Sequence, residues 1–182
     1  ARRRTQSTKR QLSLLRSLLL PTADSGRSTS HVEFRLPNTM NYEAGDHLAV
    51  YPENDPELVL RFASLVGEPN LGRAVLIKAD ENSVESLRHL PLGIPTKVSD
   101  LLGKHVDLQA PVRASFLNAA VACATDQEQR NVLHKISVLL SNGVQGNCQQ
   151  LRPVQILTAF PSVCMTLDKV LPAIAPMTKQ IR

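Results

Sequence analysis

The fourteen-residue run from Tyr42 to Asp55 constrains the fold more than any other segment, because it contains three structural signals in succession. Its first part ends in Gly45-Asp46, which is typical of a turn, and His47–Tyr51 is a short apolar segment of strand character. Asp55 then precedes Pro56, and these residue types are favoured at the N-cap and the first position of a helix. The run therefore predicts a change from strands to helices near residue 55.

The segments on either side follow the same division. Residues 31–36 alternate, with Val32, Phe34 and Leu36 on one face, as in a half-buried strand. Beyond residue 55, apolar residues recur mainly at helical spacing. Helices are predicted at 56–66, 98–102, 111–124, 153–160 and 166–171 and between Asp126 and Asn142, with a short buried strand at 74–77. The predicted class is α+β: two strands of a small antiparallel sheet or barrel, followed by a mainly helical body.

Positive charge is concentrated at the start of the chain. Residues 1–27 contain seven basic side chains and one acid, so they contribute +6 to a net charge of +5 and leave the remainder at −1. A near-neutral domain argues against nucleic-acid binding. Residues 1–26 are interpreted as a basic tail or linker, expected to be disordered. Import into an organelle, directed by residues 1–21, is the alternative. No apolar run approaches the ~20 residues of a membrane-spanning helix.

Residue spacing gives no sign of a metal site or a catalytic nucleophile. No two of the three cysteines have C-x-x-C spacing; they are Cys123, Cys148 and Cys164. We therefore expect three reduced thiols and neither a zinc site nor a redox pair. The histidines lie on separate predicted elements, without partners at ligand spacing. Ser28–Ser30 has no accompanying His/Asp arrangement.

The run from Tyr42 to Asp55 closely resembles the Y-x-x-G-D-H-x-x-V-x-P-x-N signature of the FAD domain of diflavin reductases. Arg27–Glu33 is similar to the S-T-R-H-x-E strand of the same proteins. This family includes NADPH–cytochrome reductases, their bacterial and fungal fusions with a haem monooxygenase, the reductase regions of nitric oxide synthases and the sulfite reductase flavoproteins. The resemblance covers about residues 27–176, which are expected to form an FAD-binding and connecting domain.

The resemblance implies that the strands belong to an incomplete antiparallel FAD barrel and that the helices form a connecting domain. In the family, electrons pass from NADPH to FAD, then to FMN and a haem protein. FAD is thus the expected cofactor, whereas NADP and FMN would bind elsewhere in the complete protein. Residues 177–182 are expected to be a truncated end, so this chain should be inactive alone. The expected location is the cytoplasm or the cytoplasmic face of a membrane.

Five cofactor-binding positions follow from the same resemblance, and no catalytic residue or metal ligand does. His47 is expected to contact the phosphate–adenosine side of FAD, unless it faces solvent or a turn carbonyl. Gln150 stands where the family has an FAD-contacting Arg. Arg152 would reach the same phosphate after a small shift, or it is simply an exposed residue at a helix start. Ser30 replaces an Arg that contacts the NADP phosphate, and Arg182 would begin the R-x-Y-S segment that grips the FAD pyrophosphate.

A second function remains open at this point. Ser30 and Gln150 both lack charge where the family places a cation beside a phosphate, and this change weakens anion binding. The chain could therefore be a degenerate, non-catalytic scaffold that binds a protein partner.

Overall fold

A computed structural model describes residues 13–20, 29–38, 41, 43, 45–47, 49–79, 84–142, 150–178 and 180–181. The chain divides into two compact units, Ala1–His47 and Leu48–Arg182. Among these described residues, the first unit contains two strands, and the second contains the helices together with four short strands.

The first unit is built around an antiparallel hairpin. Strand β1, Ser13–Leu20, pairs with strand β2, Thr29–Arg35, from Ser13 opposite Arg35 to Leu20 opposite Thr29. The strand predicted at 31–36 is therefore confirmed as part of β2. All five side chains of residues 31–35 are exposed.

Strand β1 corrects the expectation that residues 1–26 are disordered, which is wrong for Ser13–Leu20. Leucine and serine have only modest preference for strands, so this sequence gives a weak local signal. Pairing with β2 supplies partners for the backbone N–H and C=O groups, and this tertiary context decides the structure.

In the described part of the second unit, two-residue strands alternate with the first helices, and the later helices follow one another until a final short strand. Its helices are α1 Pro56–Leu65, α2 Val84–Leu87, α3 Val98–Lys104, α4 Ala114–Cys123, α5 Gln127–Ser141, α6 Pro153–Ala159 and α7 Leu167–Val170. Its strands are β3 Ala49–Val50, β4 Ala74–Val75, β5 Thr96–Lys97 and β6 Gln180–Ile181. The mixed helix-and-strand class is thereby confirmed.

Strand pairing in the second unit differs from the expectation that the strands near residues 31 and 47 share a sheet. Within the described residues, β2 pairs with β1, whereas β3 pairs with β6 and β4 pairs with β5. The partner of β3 comes from the far end of the chain, and no local pattern of apolar residues identifies such a partner.

The core of the second unit lies between its helices. Helix α4 packs along α5, and α1 packs against α3 and α6. The largest completely buried side chains of this core include Phe62, Phe116, Leu101, Leu102, Leu108, Leu117 and Leu133. Val132 and Leu139 are 41% and 44% exposed, which shows that only part of the apolar stripe of α5 faces the core.

Asn54 is a buried polar residue that connects the segment before α1 to the end of α3. Its side chain is enclosed, with the residue only 6% exposed. Its Nδ2 donates to the carbonyls of Leu102 and Val106, both at 2.7 Å, and its Oδ1 accepts from Leu108 N at 3.3 Å. Its own N–H donates to Gly103 O at 2.8 Å. Every polar group of this side chain is therefore satisfied, as burial requires.

Helix α1 begins where the sequence predicts. Asp55 Oδ1 accepts from the backbone N–H groups of Glu57 at 2.8 Å and Leu58 at 3.3 Å. Pro56 is the first helical residue, and Gly67 adopts a φ of +69° just beyond the C-terminus. Such a left-handed residue after a helix is most easily glycine.

Replacing Asp55 with Ala should lower the free energy of unfolding by about 1 kcal/mol, because two N–H groups at the start of α1 lose their acceptor. Urea denaturation followed by circular dichroism would measure this change. Asp55→Asn keeps an oxygen acceptor and should cost less than half as much. Equal losses in the two variants would contradict the capping role.

Candidate functional site

A tight turn places His47 at the surface of the first unit. The N–H of Asp46 donates to Glu43 O at 3.1 Å, and the N–H of Glu43 donates to Asp46 Oδ2 at 2.9 Å. Gly45 has a φ of +97°, a conformation that side chains with a Cβ rarely adopt. His47 directly follows this turn and is exposed. Its imidazole can donate a hydrogen bond to an anion in either charge state.

A cleft of about 440 Å³ lies at the start of α6 in the second unit. The described residues that line it are Gln109, Pro111, Gln150, Leu151, Arg152 and Gln155. The structure therefore brings together two of the predicted cofactor-binding residues, Gln150 and Arg152. The volume of the cleft is within the range of pockets that bind small molecules and cofactors.

The backbone beside this cleft is fixed by two hydrogen bonds. The N–H of Val112 donates to Leu151 O at 2.8 Å, which joins the two walls of the cleft. The N–H of Arg152 donates to Gln155 Oε1 at 2.9 Å, which closes the first turn of α6. Arg152 is the N-cap residue of α6, but its guanidinium takes no part in capping the helix. The backbone of Arg152 is thus fixed in position, while its guanidinium remains available to a ligand.

The donors in this cleft suit an anionic group. Arg152 is exposed, and its guanidinium forms no ion pair within the described residues. The other polar side chains among its described lining residues are glutamines, so none of these residues is a carboxylate that would repel a phosphate. A guanidinium presents five donors in a planar fork that matches phosphate oxygens. This donor set fits the pyrophosphate of a dinucleotide.

The remaining predicted positions are not among the described lining residues of this cleft. His47 and Ser30 belong to the first unit, where Ser30 lies opposite Leu19 in the β1–β2 hairpin. The side chain of Ser30, and all of Arg182, lie outside the described residues. The prediction that these residues contact a cofactor therefore remains a prediction. Gln109, Pro111 and Gln155 were missed, because only the fold shows that residues near 110 face the start of α6.

A larger cleft of about 620 Å³ lies elsewhere in the second unit and includes residues of β4 and α7. A hydrogen bond from Arg73 lowers the pKa of the Glu68 carboxyl in its wall. The Thr166 hydroxyl donates to Asp168 Oδ1 at 2.5 Å and lowers the pKa of that carboxyl. Both carboxylates are thus ionised at neutral pH and have no proton to donate. Neither Gln150 nor Arg152 is among its described lining residues.

Among the residues whose structure is described, no group of three or more His, Cys, Asp or Glu side chains could hold a metal ion. No helix in the described part of the chain is long and apolar enough to cross a membrane.

Comparison with known proteins points to one family. The profile of the FAD binding domain matches residues 3–180. A Bacillus subtilis protein named bifunctional cytochrome P450/NADPH–P450 reductase 2 is 31% identical over 163 residues, which cover 88% of this chain and 15% of that protein. A Dictyostelium discoideum NADPH–cytochrome P450 reductase is 34% identical over 115 residues, or 63% of this chain and 17% of that protein. A Gibberella moniliformis bifunctional cytochrome P450/NADPH–P450 reductase is 30% identical over 160 residues, or 88% of this chain and 14% of its own length. The chain thus spans less than a fifth of each of these relatives.

Proposed function

This chain belongs to the FAD binding domain family, and we propose that it is the FAD-binding and connecting module of a longer NADPH-dependent diflavin oxidoreductase. In the complete protein, electrons pass from NADPH through FAD and FMN to a haem protein. The observation that carries the proposal is the match of the FAD binding domain to residues 3–180. The names of the relatives, which are NADPH–P450 reductases and fusions of such reductases with P450, support it.

The proposed module comprises residues 27–176. The helices of the second unit form the connecting domain, and the chain contributes strands to an antiparallel FAD barrel. Residues 1–26 form a basic tail or linker that includes β1, and Arg182 is the first residue of the family's R-x-Y-S segment. An FMN domain and a haem protein are its partners in the complete protein.

The residues of this chain bind and orient the cofactor. When bound, FAD accepts two electrons from a nicotinamide and passes them on singly. Arg152 donates charge-assisted hydrogen bonds to the pyrophosphate oxygens, and the Gln150 amide adds a neutral donor. His47 donates to the phosphate–adenosine side, and Arg182 supplies a second cation to the pyrophosphate. Ser30 offers one neutral donor where relatives of the family place an Arg toward the NADP phosphate.

We propose a location in the cytoplasm or at the cytoplasmic face of a membrane, with organelle import directed by residues 1–21 as the alternative. A fluorescent reporter fused to residues 1–21 distinguishes the two. Accumulation of the reporter in an organelle would contradict the cytoplasmic location.

Titration of the purified chain with FAD, followed by flavin fluorescence and absorbance, tests the proposed function. We expect saturable binding of one FAD per chain, in the micromolar range or tighter. His47→Ala should weaken binding about three- to tenfold, because one hydrogen bond to the cofactor is lost. His134→Ala removes an exposed histidine from α5 and should leave the affinity unchanged.

Absence of FAD binding by the folded chain would favour the second function. If the chain is folded by circular dichroism and shows no saturable FAD binding, the module keeps the family fold without its cofactor. The degenerate, protein-binding scaffold would then be the better description.

A further inference from the structure

The end of α4 and the segment before α7 pair as a short antiparallel bridge in the second unit. Ala124 lies opposite Val163, and one hydrogen bond closes the bridge on each side. The N–H of Cys164 donates to Cys123 O at 3.2 Å, and the N–H of Thr125 donates to Ser162 O at 3.1 Å. Cys123 and Cys164 are therefore directly opposite each other, although the chain separates them by a helix, a loop and a further helix.

Burial distinguishes the cysteines from the central pair of the bridge. Ala124 and Val163, the central pair, face the core and are 2% and 6% exposed. Cys123 is the last residue of α4 and is partly buried, whereas Cys164 lies in the segment before α7 and is exposed. Both residues are therefore at least partly accessible to solvent, and neither forms a disulfide in the structure.

The separation expected for such a pair suits a disulfide. Opposite residues in a hydrogen-bonded antiparallel position have Cα atoms about 5.5 Å apart. Disulfides typically join Cα atoms about 4.4–6.8 Å apart, with Cβ atoms on the same side. The bond could thus form without a large movement of the backbone.

Further hydrogen bonds fix the two segments independently of the cysteines. The Thr125 hydroxyl donates to Ser162 O at 3.2 Å, and the N–H of Ser162 donates to Gln129 Oε1 at 3.2 Å. Asp126 caps α5 immediately after this point by accepting from Gln129 N at 2.8 Å. The backbones of the two cysteines are therefore held next to each other before any reaction, and such proximity raises the rate of an intramolecular step.

We propose that Cys123 and Cys164 form a reversible dithiol–disulfide pair, a redox-sensitive site separate from the FAD site. The oxidant is a small-molecule disulfide such as oxidised glutathione. The exposed Cys164 thiolate attacks one glutathione sulfur, forming a mixed disulfide and releasing one glutathione thiolate. The Cys123 thiolate then attacks the Cys164 sulfur and releases the second. Two protein thiols are oxidised to one disulfide, and their two protons pass to the two glutathione thiolates.

Cys148 lies outside the described residues and must be removed for a clear test. Trypsin leaves Cys148 and Cys164 in one peptide, since the Arg152–Pro153 bond resists cleavage and the next sites are Lys135 and Lys169. The experiment therefore uses the full chain with Cys148→Ser. It is equilibrated with mixtures of reduced and oxidised glutathione, quenched with an alkylating agent and analysed by mass spectrometry.

We expect the loss of two hydrogen atoms and a cross-link between the peptides Ala114–Arg130 and Ile136–Lys169. The equilibrium constant for forming the disulfide should be at least about tenfold larger in the native chain than in urea, because folding holds the thiols together. With Cys164→Ser also present, Cys123 should form only a mixed disulfide with glutathione.

Two results would overturn the proposal. The first is a native Cys148→Ser chain that carries two glutathione adducts or dimerises, rather than forming the internal bond. The second is an equilibrium constant no larger in the native chain than in urea. Binding of phenylarsine oxide, which bridges neighbouring thiols, gives an independent readout in the unoxidised chain. Retention of the arsenical by Cys148→Ser but not by Cys148→Ser/Cys164→Ser is expected, and equal retention would contradict the pair.

Discussion

Replacing Asn54 with Ala should lower the free energy of unfolding by about 4 kcal/mol. The substitution removes two donors from the buried carbonyls of Leu102 and Val106 and an acceptor from the N–H of Leu108. Each buried polar group left without a partner costs about 1–3 kcal/mol. Such a loss is a large fraction of the stability of an ordinary domain. Urea denaturation monitored by circular dichroism gives the difference.

Two further variants isolate the cause. Asn70→Ala removes an exposed asparagine whose Oδ1 accepts from Gly72 N at 3.1 Å, and it should cost less than about 1 kcal/mol. Asn54→Asp keeps the shape of the side chain but loses both donors, so it should be at least as damaging as Asn54→Ala. A loss for Asn54→Ala no greater than that for Asn70→Ala would show that these hydrogen bonds do not hold the two segments together.

Replacing Arg152 with Ala should weaken FAD binding by about 10- to 100-fold. A hydrogen bond to a charged group contributes about 1.5–3 kcal/mol, and this guanidinium supplies the positive charge of the cleft. The FAD affinity of Arg152→Lys should lie between those of the unaltered chain and Arg152→Ala, because an ammonium group keeps the charge but not the planar fork. FAD titration by fluorescence, repeated at low and high salt, measures both the affinity and its ionic component.

Lys97→Ala is the matched control for this experiment. Lys97 is also a basic, exposed N-cap residue without a side-chain capping hydrogen bond, but it begins α3 and lies away from the cleft lining. Its removal should leave FAD affinity unchanged. Gln150→Arg, which restores the charge typical of the family, should strengthen binding. Equal weakening by Arg152→Ala and Lys97→Ala would mean that only the overall charge matters.

Local features of the fold were predictable from the sequence. Asp55 and Asp126 were identified as N-caps, and both accept backbone hydrogen bonds in the structure. A capping signal depends on residues within one helical turn, so no knowledge of the tertiary structure is needed. The same holds for α6, predicted at 153–160 and found at Pro153–Ala159.

Features that depend on distant residues were not predictable. The partners of Asn54 lie 48 to 54 residues away, so its sequence context indicates only a position just before a helix. The spacing of Cys123 and Cys164 suggested unrelated thiols, whereas the bridge between two segments places them opposite each other. The predicted helix at 111–124 begins only at Ala114, because Val112 is held by Leu151 instead. In each case tertiary contacts, rather than local preference, decide the structure.

The candidate site was predicted in part, and the reason is similar. The wider resemblance to the family pointed to Gln150 and Arg152, and the structure places both in one cleft. The resemblance could not indicate the opposite wall, formed by Gln109 and Pro111, because it carries no information on which segments pack together. His47 was identified from its motif, and its contact with FAD remains a prediction.

The pairing of β3 with β6 means that the second unit begins and finishes at one place on its surface. Ala49 lies opposite Ile181 and Val50 opposite Gln180, so the incoming and outgoing backbones run side by side at the spacing of neighbouring strands. A body with adjacent ends can be spliced into a surface loop of another protein without stretching its host. It can equally be rejoined through a short linker and opened elsewhere as a circular permutant. Because its ends are adjacent, the helical unit is suited for use as an inserted spacer between two domains of an engineered protein.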